Sequence, residues 1–202
     1  MTLVASIQCV ERGHFSLDED VTRLLPELRD ILVLTGFPKK TGEPILRKST
    51  KPITLRHLLL HTSGLSYDVY NNRLKRWRRS RNEEVHMTNG SLQYRYTTPL
   101  LFEPGEGWEY SCGHDWAGQM VERVSGMSLS DYMEKYIWKP LGIKHIGIRL
   151  DHRPDMVARI PKWLMKYFDP SWVSFSTPVL GLWQQKCRQE IPSTTRLSST
   201  NQ

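Results

Sequence analysis

Four segments of this chain carry apolar residues at helical spacing, and each is bounded by a residue that starts or stops a helix. The first spans residues 2–12, is stopped by Gly13, and places four apolar side chains on one face: Leu3, Val4, Ile7 and Val10. The other three are Leu55–His61, Asp115 to about Val124, and residues 129–138. The pattern predicts a mainly α fold with a few short strands.

The predicted helix ends rest on local capping chemistry. Thr54 can accept a backbone N–H at the start of the second segment, and Ser128 with Asp131 three positions later suits the start of the fourth. Gly126 stops the third. Ser16 with Glu19 forms a similar pair and opens a short turn.

Signals for further elements are weaker. Residues 30–52 are interrupted by glycines and prolines and read as a loop with one short strand around Ile31–Leu34. Gly147–Leu150 is a second strand candidate, and a helix is favoured around residues 70–80. Residues 184–202 are polar, rich in Ser and Thr, and typical of a disordered tail.

A basic run dominates the charge of the chain, which is +7 at pH 7. Six of the nine residues 73–81 are Lys or Arg. No nucleic-acid-binding motif accompanies them, so a solvated helix or loop face is favoured over a phosphate-binding patch. Nucleic-acid binding through this run is the weakest of the functions considered, and no nucleic-acid partner is expected.

The cysteines and the first residues of the chain indicate its cellular compartment. The three cysteines are widely spaced and form no C-x-x-C pair, which favours free thiols over a disulfide framework or a zinc site: Cys9, Cys112 and Cys187. The apolar first residues lack a basic segment and are interrupted by Glu11 and Arg12, so they predict neither a signal peptide nor a membrane span. A cytoplasmic protein is expected.

Two sequence patterns suggest chemistry but favour a structural role. His57 and His61 have the spacing of helical metal ligands, but the H-E-x-x-H pattern is not met and no third ligand is near, so no metal is expected. Ser63 stands in His61-Thr-Ser-Gly64, where a nucleophile elbow would need glycine at position 61.

Two longer motifs carry a family resemblance. Residues 103–118 read Glu-Pro-Gly-Glu-Gly-Trp-Glu-Tyr-Ser-Cys-Gly-His-Asp-Trp-Ala-Gly, and residues 53–65 read Ile-Thr-Leu-Arg-His-Leu-Leu-Leu-His-Thr-Ser-Gly-Leu. Together they resemble the superfamily of serine β-lactamases, penicillin-binding proteins and esterases, and most closely its fungal lovastatin-type transesterases. Cys112 stands where related β-lactamases have asparagine, which favours the esterase and transesterase branch.

The resemblance implies an acyl-serine mechanism and assigns residues to it. Tyr110 matches the family's catalytic tyrosine, a general base or proton shuttle that works with a Ser-x-x-Lys pair. The resemblance also implies that the turn of His61, Ser63 and Gly64 is structural. Independently of the family, the aromatic side chains around Tyr110 suit the lining of a ligand pocket, so Trp108 and Trp116 are expected to contact substrate. No cofactor is implied.

The Ser-x-x-Lys pair itself is missing, because no serine of the 202 residues is followed three positions later by lysine. The resemblance places the pair just upstream of Met1 and the family's third motif beyond the end of the chain. We therefore expect residues 1–165 to be a partial domain, the helical lobe of a β-lactamase-like α/β fold with its sheet largely missing. Residues 166–202 are expected to be a divergent, disordered tail, and the chain is expected to be inactive as it stands.

Two functions remain open from the sequence. The first is a serine hydrolase or acyltransferase of fungal secondary metabolism, acting on a small acyl ester or thioester, carried by a carrier protein or free. The second is a non-catalytic paralogue that binds an acyl ligand or a partner protein.

Overall fold

Helices dominate the secondary structure of the computed structural model, which describes residues 1–39, 42–83, 85, 97–148, 154–157 and 159. The α-helices are α1 (Thr2–Glu11), α2 (Leu55–Leu60), α3 (Asn72–Ser80), α4 (Gly113–Ser125), α5 (Leu129–Met133) and α6 (Pro154–Val157). Short 3₁₀ turns span Val21–Arg23 and Pro26–Leu28, and a π-helix spans Glu134–Trp138. The two strands are β1 (Leu32–Gly36) and β2 (Ile45–Lys48). The prediction of a mainly α fold with few strands is confirmed.

Helix α1 lies against α4 through small side chains. Ala5 and Cys9 are fully buried, whereas Leu3 and Val4 are more than 40% exposed. At Gly118 on α4, an added Cβ would lie 2.9 Å from the Leu129 side chain and 3.6 Å, an ordinary contact distance, from the Thr2 methyl. The predicted helix is therefore confirmed, but Ala5 and Cys9 face the core, whereas Leu3 and Val4 face away from it.

Helix α2 has the predicted cap. The Thr54 hydroxyl accepts the His57 N–H, and the Thr54 N–H donates to His57 Nδ1, both at 3.3 Å. The helix ends at His61, whose backbone is left-handed with φ +60°. Its buried side chains are Leu55, Leu58 and Leu59. The capped helix therefore delivers His61 to a fixed position at its end.

Helices α4 and α5 contribute further side chains to the core. Trp116, Met120 and Val121 of α4 are fully buried, and Gly126 ends the helix in the left-handed conformation as predicted. Ser128 caps α5 by accepting the Asp131 N–H at 3.1 Å. After Met133 the chain continues as a π-helix, so the predicted single helix over residues 129–138 is divided into two parts.

The two strands form an antiparallel pair with Leu32 opposite Lys48 and Leu34 opposite Leu46. A register shift between Leu34 and Gly36 disturbs the ladder. The strand predicted at residues 31–34 is confirmed, and β2 was not predicted. Of the other strand candidate, residues 147 and 148 are not in a strand, and residues 149–150, like the predicted tail, lie outside the described part.

The basic run forms α3, which is tied to the rest of the fold. Arg78 is buried and donates to Asp68 at 2.9 Å and to Glu83 at 2.8 Å. The Arg76 guanidinium lies over the Phe37 ring at 4.3 Å. Two of the basic side chains therefore contact other parts of the protein instead of extending freely into solvent. Across the described segments, no helix is long and apolar enough to cross a membrane.

Candidate active site

Tyr110 lies on an exposed loop that leads into α4. Its side chain is 61% exposed, and that of Trp108 is 65% exposed. Two backbone bonds hold the start of the loop, because the Gly105 N–H donates to the Thr62 carbonyl at 2.8 Å and the Glu109 N–H donates to the His61 carbonyl at 3.0 Å. The two sequence motifs are therefore brought together, although they are about fifty residues apart in the chain.

His61 contacts this loop with its side chain as well. The Ser111 N–H donates to His61 Nδ1 at 3.2 Å, and Ser111 Oγ lies 3.2 Å from the same nitrogen. Ser111 is buried. A ring nitrogen that accepts a backbone N–H carries no proton, so this geometry selects the neutral imidazole with its proton on Nε2.

Aromatic rings surround His61. Its ring centroid is 4.7 Å from that of Tyr110, 4.9 Å from that of His114 and 6.2 Å from that of Trp108. The Tyr67 ring also lies beside Tyr110, with a centroid distance of 5.9 Å. We call these five residues the aromatic cluster: His61, Tyr67, Trp108, Tyr110 and His114.

Burial keeps both histidines of the cluster neutral near pH 7. It lowers the pKa of His61, and the neighbouring His114 lowers it further. Burial also lowers the pKa of His114, and the positive charge of the Met1 α-amino group lowers it further. Near pH 7, the two imidazole rings of the aromatic cluster are therefore mainly neutral.

The turn after α2 depends on a glycine. Gly64 has φ +85°, and an added Cβ would lie 2.3 Å from the Phe102 carbonyl oxygen. The Gly64 carbonyl accepts the Leu101 N–H at 2.8 Å. Ser63 is fully buried, and its Oγ accepts the Leu65 N–H at 3.3 Å. This turn joins α2 to the segment that precedes the Tyr110 loop, which gives its expected structural role a physical basis.

Trp116 does not join the exposed cluster. Its side chain is fully buried in the main core, whereas Trp108 is on the surface beside His61. Cys112 is also fully buried, and burial raises the pKa of its thiol well above the ordinary value. Of the two tryptophans predicted to contact substrate, only Trp108 is placed where an external ligand could reach it.

Three polar contacts at the cluster's edge were not predicted from sequence. Glu109 Oε1 accepts from the Ser66 hydroxyl at 3.0 Å and from the Asn71 amide at 3.1 Å. The Tyr67 hydroxyl donates to Asp115 at 3.2 Å. These bonds tie the chain just before α3 to the Tyr110 loop and to the first turn of α4, and they join residues too distant in sequence for local patterns to reveal.

Glu103 braces the turn before the loop. Its carboxylate is 3% exposed, forms an ion pair with Arg47, and accepts from the Ser49 hydroxyl at 2.8 Å and from the Thr50 N–H at 3.1 Å. Burial raises the pKa of this carboxyl, but these donors together outweigh burial and hold the pKa at about 2. The Tyr110 loop is thereby anchored to β2 and the residues that follow it.

We expect Glu103→Gln to lower the free energy of unfolding by about 2–3 kcal/mol at pH 7, because the buried donors lose a charged acceptor. The ordinary pKa of glutamate here is 4.5, so between pH 4.5 and about 2 the unfolded chain holds the extra proton. Stability from Glu103 is therefore complete above pH 4.5 and is lost as the pH falls towards 2. Urea unfolding across this range should show a smaller pH dependence for the variant.

Glu106→Gln is the matched control for Glu103→Gln. Glu106 and its partner Lys51 are both about half exposed and 2.8 Å apart. Removing such a surface pair should cost less than about 1 kcal/mol. Equal losses for the two variants would contradict the bracing role of Glu103.

Within the described ranges, no group of three His, Cys, Asp or Glu side chains could hold a metal ion. His57 and His61 have the spacing of metal ligands, yet Nδ1 of each accepts a backbone N–H instead. The geometry offers ring stacking, exposed aromatic surface and the exposed side chain of Tyr110.

A family profile described as beta-lactamase matches residues 1–162. The monacolin J acid methylbutanoyltransferase of Aspergillus terreus is 43% identical over 159 residues, which cover 79% of this chain and 38% of that protein. A lovastatin esterase of Penicillium rubens is 40% identical over 160 residues, covering 79% of this chain and 40% of that protein. The solved structure of a simvastatin synthase mutant from Aspergillus terreus superposes with a TM-score of 0.67 at 44% identity, covering 78% of this chain and 36% of the other.

The chain thus spans about two fifths of the length of these relatives. Only part of the architecture of such a protein is present in these 202 residues. The matched part includes α1, α2, the Tyr110 loop and α4.

Proposed function

The chain belongs to the beta-lactamase family, and from that membership we propose that it is part of a serine acyltransferase or esterase in which Tyr110 transfers the proton. One observation carries the proposal: an exposed tyrosine, in the matched segment, is held against His61 by a loop that is bonded to the end of α2. A packed structural tyrosine would instead bury its ring.

The proposed chemistry is acyl transfer in two steps. A serine hydroxyl attacks the carbonyl of an acyl ester or thioester, and its proton passes to the leaving group. An alcohol or water then attacks the acyl-serine. In both steps a tyrosine can carry the proton, accepting it as the phenolate and returning it as the phenol, and this is the role we assign to Tyr110.

The expected signature of the nucleophile, Ser-x-x-Lys, does not occur in these 202 residues. A serine without an adjacent base is a poor nucleophile. We propose that the chain by itself does not turn over substrate and that its matched segment functions when the pair is supplied.

The substrate class follows from the exposed aromatics. Tyr70, Trp108 and Tyr110 are each more than 60% exposed, and such rings suit the apolar part of a small acyl ester or thioester. Relatives include two methylbutanoyltransferases, one named for ML-236A carboxylate from Penicillium citrinum and one named for monacolin J acid from Aspergillus terreus. We extend the proposal to an acyl donor held by a carrier protein, and to the cytoplasm, where buried free thiols such as Cys9 and Cys112 persist.

A second function, non-catalytic binding of an acyl ligand, is favoured by the same exposed rings together with the missing pair. It predicts affinity for acyl ligands without turnover. Labelling with a fluorophosphonate separates it from the first.

We expect a fluorophosphonate to label a chimera but not the 202-residue chain, as read by intact mass. In the chimera, this chain's matched segment replaces that of the Aspergillus terreus methylbutanoyltransferase, whose remainder is expected to supply Ser-x-x-Lys. Labelling and turnover of a p-nitrophenyl acyl ester by the chimera would support the proposal. A folded chimera without either would exclude it in favour of binding alone, and a labelled serine in the 202-residue chain would show that the nucleophile is present after all.

A further inference from the structure

His61 occupies a backbone conformation that ordinary residues avoid. Its φ of +60° places it in the left-handed region, which costs a non-glycine residue about 1–2 kcal/mol. Glycine is the usual residue at this position of a helix end. A histidine here therefore suggests that its side chain contributes something that glycine would not.

The contribution is a double hold on the Tyr110 loop. The His61 carbonyl accepts the Glu109 N–H at 3.0 Å, and His61 Nδ1 accepts the Ser111 N–H at 3.2 Å. These two donors lie on either side of Tyr110 in the chain, and the imidazole ring itself packs on the tyrosine ring. One residue thus fixes the backbone before and after Tyr110 as well as its ring.

We propose that His61 is a positioning residue for Tyr110, and that protonation of its Nδ1 releases the loop. A protonated Nδ1 carries a hydrogen and cannot accept the Ser111 N–H. The carbonyl bond to Glu109 does not depend on this proton, so the loop loosens at Ser111 without unfolding α2. The inference rests on the proposed function for the meaning of the tyrosine's position, while the contact itself is independent of activity.

The groups around the ring set the direction of the pH response. Tyr110 faces it from the loop and His114 from α4, while the Glu109 carboxylate is bonded to Ser66 and Asn71. The held loop favours neutral His61, so the released state binds more protons. The held state is therefore fully populated above pH 6.5, the ordinary pKa of histidine. It is lost as the pH falls through the pKa of His61, which lies below that value.

The test is an NMR titration of the isotope-labelled 202-residue chain from pH 8 to pH 5. We expect His61 to carry its proton on Nε2 at pH 8. The Ser111 amide and Tyr110 ring signals should move with the midpoint of His61, below 6.5. A proton on Nδ1 at pH 8, or Ser111 and Tyr110 signals that stay constant while His61 titrates, would overturn the proposal.

Two substitutions separate positioning from simple structure. Glycine and asparagine both tolerate the left-handed backbone, but only asparagine retains an acceptor near the position of Nδ1. His61→Gly should speed hydrogen exchange of the Ser111 amide by roughly two- to tenfold. His61→Asn should restore protection and remove its dependence on pH between 5 and 8. Equal exchange in the two variants would contradict the role of the ring nitrogen.

His114→Asn is the control for the neighbouring ring. In this variant the coupling between His61 and Ser111 should persist, with its midpoint moved upwards because the variant lacks a neighbour that becomes positive as the pH falls. Loss of the coupling here would assign the effect to His114 and overturn the inference. A chimera whose Tyr110 proves dispensable would instead overturn the proposed function and leave the His61 contact intact.

Discussion

Gly113→Ala is expected to lower the free energy of unfolding by about 3 kcal/mol or more, the upper part of the range for overpacking. Gly113 is the first residue of α4, and an added Cβ would lie 2.1 Å from the Leu58 carbonyl oxygen on α2. Both atoms belong to backbone or are fixed to it, so no side-chain rotation relieves the clash. The helices must separate, and urea unfolding measured by circular dichroism would record the loss.

The same substitution should disturb the aromatic cluster. His61 ends α2 and His114 follows Gly113 on α4, so the 4.9 Å between their rings depends on the helix contact. In NMR spectra of the folded protein, we expect the ring signals of His61 and His114 to shift. A loss of stability confined to the helices, with the histidine signals unchanged, would contradict this link between core and site.

Gly36→Ala is the matched control for Gly113→Ala. Gly36 is in β1, its φ is outside the left-handed region, and an added Cβ would have no neighbour within 4 Å. The change should stay within about 0.5 kcal/mol. If the two alanine variants unfolded alike, the close approach of α2 and α4 would be wrong.

Local chemistry explains why the helices could be predicted from the sequence. Thr54, Gly126 and Ser128 act through hydrogen bonds and backbone angles within four residues, so their effects are visible in a short window. Helix α4 begins at Gly113, two residues before the predicted start at Asp115. The need for glycine at this position comes from its contact with Leu58 on α2 and is not visible in the local sequence. Contacts between distant segments leave no such local pattern.

Elements that depend on distant partners were missed. Strand β2 has only four residues, and its alternation is obscured by the glycines and prolines before it. Its stability comes from pairing with β1 and from the ion pair between Arg47 and Glu103. The π-helix that follows α5 is likewise not indicated by apolar periodicity, since 3.6-residue spacing fits an α-helix there equally well.

The candidate site was partly predictable. Motif resemblance singled out Tyr110 and His61, and the structure brings them together. The bond from Ser111 to His61 could not be derived, although one signal pointed to it: a histidine stands at a helix end where glycine is usual. Nearness in sequence places Trp116 with Trp108 and Tyr110, but the Trp116 side chain is buried in the core.

Tyr110→Phe in the chimera is expected to reduce kcat/KM for a p-nitrophenyl acyl ester by 10²–10⁴-fold, the range for losing a general acid or base. The substitution removes one oxygen atom and retains the ring that packs on His61 and Tyr67. Because the phenol is largely exposed, deleting its hydroxyl leaves no buried group unsatisfied. Stability should therefore be unchanged while the chemical step slows.

Tyr67→Phe distinguishes proton transfer from aromatic packing. Tyr67 is a direct neighbour of Tyr110, but its hydroxyl is bonded to Asp115. Its loss should change kcat/KM by less than tenfold, with some loss of stability from the broken bond, about 1 kcal/mol. If Tyr110→Phe retained activity like Tyr67→Phe, the tyrosine would be a binding surface, and a different group would have to carry the proton. If only Tyr110→Phe fails, the hydroxyl exposed beside His61 is the proton carrier, and the exposure that makes it unusual as a structural residue is the property its chemistry requires.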